Sequence, residues 1–516
     1  MAKMLLLTGV ALVATGALAA FAPATHRGST QQSAQRRGPG PMCRRAPVLG
    51  ALAPETKQPP TQQQRRGAAE DLKTFDAAES ATDSAPPPPL VSPPPPPLVA
   101  SPTIAPVAER GTVASEIAVT GSRRSASARS VPVAPPPPPG IAPMPRQDFG
   151  PPAGLLTAGD HDDLLNPLLY ARYANRARRD LGQRIAAIPR VDTRNLLTVA
   201  VEDEAGRAAP FVPVTLTCAD GNTLTLSTLA DGSVAFFPAL DRLGQRVRVT
   251  AGGTSRLVEL GGPGGERQTM VSASPSRPVR KFDLMIALDT TGSMGDEIQY
   301  LKSELRSILA NIAHRHPGLD VRVGLVAYRD IGDSFVTRTY PLTNDLSALQ
   351  ESLGSQYADG GGDMPEAMEQ ALARAVAQDW RSDAVKSMLL VADAPPHDEN
   401  VARAFAITEA ARARRIQIVP VAASGVDDSA QYFMRAAAAA TQSRYIFLTD
   451  DSGIGNPHAE PDVDCYRVTR LDRMIEQVLS GQIAGRRFDP APNEVIRAVG
   501  RSDHGRCILP PRFDVQ

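Results

Sequence analysis

Residues 282–288 read FDLMIAL, and residues 289–294, which follow directly, read DTTGSM. The first stretch is apolar at every position except Asp283, a pattern typical of a central parallel strand that is buried on both faces. The second stretch ends that strand with polar residues and a glycine. An amphipathic helix is predicted next, because apolar residues recur on one face at helical spacing: Ile298, Leu301, Leu305, Ile308 and Ile312.

The alternation of buried strands and amphipathic helices continues along the chain. Further strands are predicted at 321–328, 335–340 (an edge hairpin strand), 386–394 and 416–423, and helices near 364–379, 399–413 and 428–440. This order predicts an α/β domain over residues 280–450, with a doubly wound, mostly parallel sheet that is covered on both faces. Ligands of such sheets bind at the carboxyl ends of the strands.

Oxygen-bearing side chains gather at that predicted edge. Asp289, Thr291 and Ser293 leave the first strand at spacings of two, Asp393 ends the strand at 386–394, and Asp363 follows a run of glycines. A set of carboxylates and hydroxyls without His or Cys suits Mg²⁺, Mn²⁺ or Ca²⁺. The alternative is that Thr291, Ser293 and Asp393 only cap helices and turns. Their convergence at one edge favours a metal site.

The motifs DTTGSM (289–294), YRD (328–330), GGGDMPEA (360–367) and ADAPPH (392–397) resemble those of von Willebrand factor type A domains. The resemblance implies that Asp289, Thr291, Ser293 and Asp393 bind a divalent ion, directly or through water. The glycine-rich loop commonly supplies a Thr ligand, whereas here Asp363 follows the glycines, so that this ligand departs from the pattern. In the family, an acidic side chain of a protein partner completes the coordination of the ion.

Residues 195–274 read as short strands joined by turns, with Asp-Gly pairs at 220–221 and 231–232. The segments VEDEAGRAAPFVPVTLTC and LADGSVAFFP resemble the small β-sandwich of carboxypeptidase regulatory-like and Cna-B-like families. Between 151 and 190 we expect a helical segment, in which Asp160, Asp162 and Asp163 cap a helix. A calcium site made by these three acids is the weaker interpretation, because no EF-hand spacing follows.

The N-terminus has the layout of an exported protein. Residues 1–23 combine one lysine, an apolar run and small residues, which predicts a signal peptide, with a retained membrane anchor as the alternative. Residues 24–150 are rich in Pro, Gln and Arg and are expected to be a disordered spacer. We therefore expect the protein in the periplasm, the cell envelope or outside the cell.

The four cysteines fit no zinc motif. Cys465 and Cys507 could form a disulfide in an oxidising compartment, and Cys218 reads as a buried strand residue. After residue 450 we expect a C-terminal helix at 467–485 and a tail that runs to 516. This helix is expected to pack on the sheet.

Composition and motifs argue against several classes of function. Lys+Arg and Asp+Glu both number 55, so the chain lacks the basic excess that nucleic-acid binding requires. No P-loop, GxSxG or HExxH motif occurs, and Thr291 stands where haloacid dehalogenase-type phosphatases need a second Asp. The sequence predicts a non-enzymatic, metal-dependent protein-binding module of the bacterial cell envelope. The alternatives are a structural envelope scaffold with a stabilising metal and, less favoured, a metal-assisted hydrolase.

Overall fold

The computed structural model describes residues 41–52, 55, 156–261, 265–362, 364–453 and 458–509. The signal peptide predicted at 1–23 and most of the spacer predicted at 24–150 lie outside these ranges. Within the described part of the chain, no helix combines the length and the apolar character needed to cross a bilayer.

The α-helices of the described ranges are α1 (Pro167–Asp180), α2 (Gly295–Arg315), α3 (Leu346–Gly354), α4 (Met368–Val376), α5 (Val401–Ala413), α6 (Asp428–Ala440) and α7 (Leu471–Ala484). The strands are β1 (Thr157–His161), β2 (Leu197–Asp203), β3 (Pro213–Thr217), β4 (Thr223–Ser227), β5 (Ser233–Phe236), β6 (Arg246–Ala251), β7 (Thr254–Glu259), β8 (Glu266–Ser272), β9 (Lys281–Asp289), β10 (Asp320–Tyr328), β11 (Thr337–Thr343), β12 (Val385–Ala392), β13 (Ile416–Ala422), β14 (Tyr445–Thr449), β15 (Tyr466–Arg470), β16 (Arg497–Val499), β17 (Ser502–Asp503) and β18 (Arg506–Cys507).

The central sheet has nine strands in the order β11-β10-β9-β12-β13-β14-β1-β15-β16. The five strands β10, β9, β12, β13 and β14 are parallel, and β11 joins β10 in the antiparallel direction. Helices α4, α5 and α6 cover one face, and α2, α3 and α7 cover the other, each over its own hydrophobic core. The predicted α/β class and the mostly parallel, doubly wound sheet are confirmed.

Strand register brings the ends of three strands together. Asp289 pairs with Tyr328 across β9 and β10, and Leu288 pairs with Val391 across β9 and β12. Asp393 therefore leaves β12 beside the point where Asp289 ends β9. The sheet places these two carboxylates at one edge without help from any loop conformation.

The segment predicted to be helical at 151–190 begins instead with a strand. β1 lies antiparallel between β14 and β15, and all five of its residues are buried. Gly159 is needed there, because a Cβ at this position would lie 2.6 Å from the ring of Phe447 and 2.9 Å from that of Tyr466. The strand was missed because its sequence, TAGDH, is short, polar and without apolar alternation.

The acids of this segment have different roles from those predicted. Only Asp162 caps a turn, since its Oδ1 accepts the backbone N–H groups of Leu164 and Leu165. The Asp160 carboxylate is buried between Arg444 and Arg487. Asp163 forms a bidentate pair with Arg435, with N–O distances of 2.6 and 3.1 Å. The capping prediction is therefore wrong for Asp160 and Asp163.

The central sheet also continues beyond residue 450 through β15 and β16, so it extends past the end predicted for the α/β domain. Helix α7 then returns to cover the sheet beside α2. The Arg315 guanidinium at the end of α2 holds the carboxylate of Glu476 on α7, with an Nε–Oε1 distance of 2.6 Å. This buried contact fixes the last helix against the helix that follows the DTTGSM loop.

Residues 197–272 form a small sandwich of two sheets, β5-β2-β8 and β4-β3-β6-β7, around a separate hydrophobic core. This agrees with the predicted all-β fold. The sandwich packs against α5, where the Arg412 guanidinium donates to both carboxylate oxygens of Asp241 at 2.7 and 2.8 Å. Arg412 also donates to the carbonyl of Ala235, which adds a backbone contact to this ion pair.

A segment of the predicted spacer is ordered against both domains. Residues 41–52 and Glu55, which we call the strap, begin at a disulfide between Cys43 and Cys218. Cys218 is buried directly after β3, as expected, but its pairing with Cys43 was not predicted. The prediction of disorder is wrong for this part of 24–150. Arg44 then pairs with Glu409 on α5, and the Glu55 carboxylate accepts the backbone N–H of Thr339 on β11 at 3.2 Å.

The second disulfide joins Cys465 and Cys507, the pair that the sequence suggested. It attaches the β17–β18 hairpin to the start of β15. His161 lies close to both sulfur atoms, in an arrangement that could hold a metal ion. Because the two sulfur atoms are bonded to each other, they cannot act as thiolate ligands. Two disulfides in one chain are consistent with an oxidising compartment.

The ion pair of Asp163 and Arg435 tests whether the segment that follows β1 is anchored in the interior of the domain. Replacing Asp163 with Ala leaves Arg435 buried and uncompensated, since both side chains are at most 2% exposed. We expect the free energy of unfolding to fall by about 3–5 kcal/mol, measured by urea denaturation. The matched control is Asp383→Ala, which removes an exposed pair with Lys281. This control should lower the free energy of unfolding by less than about 1 kcal/mol. Equal losses in the two variants would contradict the burial of the Asp163–Arg435 pair.

Candidate metal centre

The DTTGSM loop is built around one oxygen of Asp289. Asp289 Oδ1 accepts the backbone N–H of Thr291 at 3.0 Å and its hydroxyl at 2.7 Å. The neighbouring Thr290 is tied to the next strand, because its hydroxyl and its N–H both donate to the carbonyl of Tyr328. The loop is therefore rigid, and it leaves the second oxygen of Asp289 unused.

Three buried carboxylates at this edge each carry an oxygen without a hydrogen-bond partner in the described residues. These oxygens are Oδ2 of Asp289, Oδ1 of Asp393 and Oε2 of Glu366. The three residues are 0%, 6% and 3% exposed. Buried polar atoms almost always have a partner, and ionised carboxylates need a balancing charge. Hard oxygen donors in this number suit a divalent cation.

Burial raises the pKa of all three acids, and the charge of neighbouring acids raises it further at Asp289 and Glu366. The pKa of Asp289 is raised to about 7, first by burial and then by the charge of Asp393. That of Glu366 is raised to about 9, by burial and then by Asp289 and three further acids. Burial also raises the pKa of Asp393, against a hydrogen bond from Ser293 that lowers it. A bound cation would reverse this repulsion.

The glycine-rich loop closes over the site with its backbone. Gly292 N–H donates to the carbonyl of Gly360 at 3.2 Å, and the Asp333 carboxylate accepts the N–H of Gly361 at 2.9 Å. Gly360 has φ +80°, and a Cβ there would lie 2.5 Å from the Asp333 carboxylate. At Gly361, with φ +74°, a Cβ would meet Glu366 Oε1 at 3.0 Å. Only glycine fits these two positions.

Four of the five predicted site residues can be placed. Asp289, Thr291 and Asp393 are buried at the carboxyl edge, and Ser293 is exposed beside Asp393. Asp363 lies outside the described residues. The sequence analysis did not select Glu366. The sequence did offer a signal, since Glu366 is a second acid in the same loop, three residues beyond Asp363.

His397 also lies at this edge, where its Nε2 is 2.6 Å from Asp330 Oδ1. Burial lowers its pKa, but the hydrogen bond and the charge of Asp330 outweigh burial and raise it overall. His397 thus engages an acid beside the site. Its contact is with Asp330, and it neutralises part of the surrounding negative charge when protonated.

A second polar network lies nearby. Ser424 Oγ is 3.1 Å from His458 Nε2, and His458 Nδ1 is 2.7 Å from Asp450 Oδ1. These distances resemble a catalytic triad. However, Ser424 is buried, its hydroxyl donates to Glu297 Oε1 at 2.7 Å, and it does not line the cavity of about 350 Å³ beside His458.

Comparison with known proteins agrees with the fold and the motifs. Residues 283–455 match the family model for the von Willebrand factor A domain. This part of the chain is a von Willebrand factor A (VWA) domain. The match covers the β9 strand, the DTTGSM loop, the glycine-rich loop and Asp393.

Two curated proteins are similar to parts of this chain. A putative ariadne-like RING finger protein of Acanthamoeba polyphaga mimivirus is 33% identical over 124 residues, which is 23% of this chain and 12% of that protein. The alpha-protein kinase vwkA of Dictyostelium discoideum is 27% identical over 116 residues, 22% of this chain and 19% of that protein. The chain thus spans less than a fifth of the length of either relative.

Solved structures give weaker likenesses. The pilus adhesin SpaC of Lactobacillus rhamnosus GG, in its open conformation, has a TM-score of 0.28 and 13% identity over 40% of this chain and 30% of that one. The SpRpn10 VWA domain has a TM-score of 0.22 and 16% identity over 30% of this chain and 82% of that one. The family match, and not these scores, identifies the VWA domain.

The raised pKa values predict how metal-free protein responds to pH. Asp289 has a usual value of 3.8 and a folded value of about 7, so the folded state holds a proton that the unfolded state releases. Stability in EDTA is then fully present below about pH 4 and is lost as pH rises to about 7. We expect Mg²⁺ to raise the melting temperature more at about pH 8 than at about pH 5.

Calorimetric scans of wild type, Asp289→Asn and Asp398→Asn, with and without Mg²⁺, check this expectation. Asp289→Asn should abolish the stabilisation by Mg²⁺, whereas Asp398, an exposed acid in the loop after Asp393, should be replaceable without effect. A magnesium effect that is independent of pH in wild type would contradict the site.

Proposed function

We propose that this protein is a non-enzymatic, metal-dependent binding module that is exported to the cell envelope and holds a protein partner through its VWA domain. The observation that carries the proposal is the set of three unpartnered carboxylate oxygens of Asp289, Asp393 and Glu366 at one sheet edge. Asp289, Thr291, Ser293 and Asp393 would hold Mg²⁺, or Mn²⁺ or Ca²⁺ in its place. The ion would supply a Lewis-acidic position that a partner carboxylate can fill.

Charge balance supports a partner that contributes an acidic side chain. Two ionised carboxylates, Asp289 and Asp393, would neutralise a divalent ion. An ion balanced by these two carboxylates can still attract a further carboxylate from a partner.

Two features support a binding function over hydrolysis. The triad-like Ser424 has the Glu297 carboxylate beside its hydroxyl, and an ionised acid there would oppose the negative charge of a tetrahedral intermediate. At the metal edge, the nearest imidazole, His397, contacts Asp330. We therefore propose that this edge uses the ion to bind a partner and not to hydrolyse a substrate.

Export is supported by the signal-like N-terminus and by the use of all four cysteines in disulfides. Disulfides persist in oxidising compartments and are rare in reducing ones.

Isothermal titration calorimetry with Mg²⁺ and Mn²⁺ tests the proposed metal site. We expect saturable one-site binding by the wild-type protein and at least tenfold weaker binding by Asp289→Ala, because the ion loses a charged ligand. Asp398→Ala is the matched control and should bind like wild type. Circular dichroism of each variant checks that the fold survives, and equal binding by wild type and Asp289→Ala would refute the site.

A partner captured from envelope extract should be released by EDTA and should not be retained by Asp289→Ala. Retention in EDTA, together with a lowered melting temperature, would instead indicate a scaffold whose metal only stabilises the fold. Turnover of phosphate or carboxylate esters that is lost in Ser293→Ala would favour a hydrolase.

A further inference from the structure

A cavity of about 440 Å³ lies between the sandwich and the VWA domain. Its walls come from β2 and the turn before β5 on one side, and from the start of β13, the α6–β14 turn and the end of α7 on the other. Gln417, which lines the cavity, is the second residue of β13 and therefore lies at the amino end of that strand. The metal site lies at the carboxyl ends of the strands, so the cavity is at the opposite edge of the sheet.

Five arginines line this cavity: Arg267, Arg444, Arg486, Arg487 and Arg506. They come from separate parts of the chain, since Arg267 is on β8 of the sandwich and Arg506 is in the hairpin held by the Cys465–Cys507 disulfide. Arginines repel one another unless anions separate them, so this convergence requires compensating charge.

On the inner wall the charges of Arg444 and Arg487 are balanced by two acids, but one donor of Arg487 is left without a partner. Arg444 and Arg487 share one buried acid, Asp160, at N–O distances of 3.3 and 3.0 Å. Arg487 also pairs with Asp489, yet its Nη1 is buried and has no hydrogen-bond partner in the described ranges. The pKa of Arg444 is lowered, first by burial and further by the charge of Arg487.

The outer arginines have no compensation. Arg267, Arg486 and Arg506 are exposed, and none of them forms an ion pair with any residue that the structure describes. Two acids, Asp162 and Asp231, line the cavity as well, and with five arginines the lining keeps an excess of positive charge. Asp162 accepts the N–H groups of Leu164 and Leu165, and Asp231 accepts those of Ser233.

We propose that this cavity binds a small multivalent oxyanion, carrying phosphate or carboxylate groups, between the sandwich and the VWA domain. Guanidinium groups bind both kinds of oxyanion in bidentate fashion, and the volume lies within the range of small-molecule sites. The bound anion would join Arg267 of the sandwich to Arg486 and Arg506 of the C-terminal part, and so would stabilise the two domains in their present arrangement. The site is independent of the metal.

The test uses the full chain, stripped of metal by EDTA and then dialysed free of the chelator, at low ionic strength, with inorganic phosphate and citrate as separate probes. We expect at least one probe to bind saturably by calorimetry and to raise the melting temperature. The double variant Arg267→Gln/Arg506→Gln should bind at least tenfold more weakly, because it removes two charged donors that have no intramolecular ion pair. Affinity should also fall as NaCl is raised.

Arg256→Gln is the matched control, since Arg256 is an exposed arginine on β7 of the sandwich that does not line the cavity. It should bind both probes like wild type. Binding of phosphate alone identifies a phosphate ligand, and binding of citrate alone identifies a polycarboxylate. Failure of both probes, or an equal loss in the control and the double variant, overturns the proposal.

Discussion

The buried carboxylate of Asp289 is the constraint on which the edge of the VWA domain depends. One of its oxygens holds the Thr291 turn in place, and the other has no partner among the described residues. Asp393 and Glu366 each add an unpartnered oxygen at the same edge of the sheet. Protons or a cation must balance these groups, and under the proposed function the balancing charge is a divalent cation.

The surrounding structure keeps these acids together. Parallel pairing of β9 with β10 and β12 aligns the strand ends, and the φ values of Gly360 and Gly361 let the loop backbone approach the acids closely. The sandwich attaches to the domain through the Asp241–Arg412 pair, the strap through the Arg44–Glu409 pair, and β1 through its pairing with β14. They brace the VWA domain, and among the described residues Ser293 stays exposed at the candidate metal edge.

Much of this architecture follows from sequence periodicity, because the strands that matter are long, apolar runs buried on both faces. Four of the predicted site residues, Asp289, Thr291, Ser293 and Asp393, lie at the edge of the sheet where their spacing after such strands placed them. What could not be predicted depends on tertiary contacts. TAGDH becomes strand β1 only because Phe447 and Tyr466 pack over Gly159, and Cys43 is ordered only because Cys218 binds it. Glu366 was missed because an acid that follows a proline is typical of the first turn of a helix.

Diffraction from crystals soaked in MnCl₂, with data collected for anomalous scattering, tests the central claim most directly. The account predicts one strong anomalous peak among Asp289, Thr291, Ser293 and Asp393, with the freed Asp289 and Asp393 oxygens turned towards it. It also predicts that the peak disappears in Asp289→Ala crystals soaked in the same way. A peak elsewhere, or none at this edge at saturating Mn²⁺, would contradict it and would mean that protons alone balance these carboxylates.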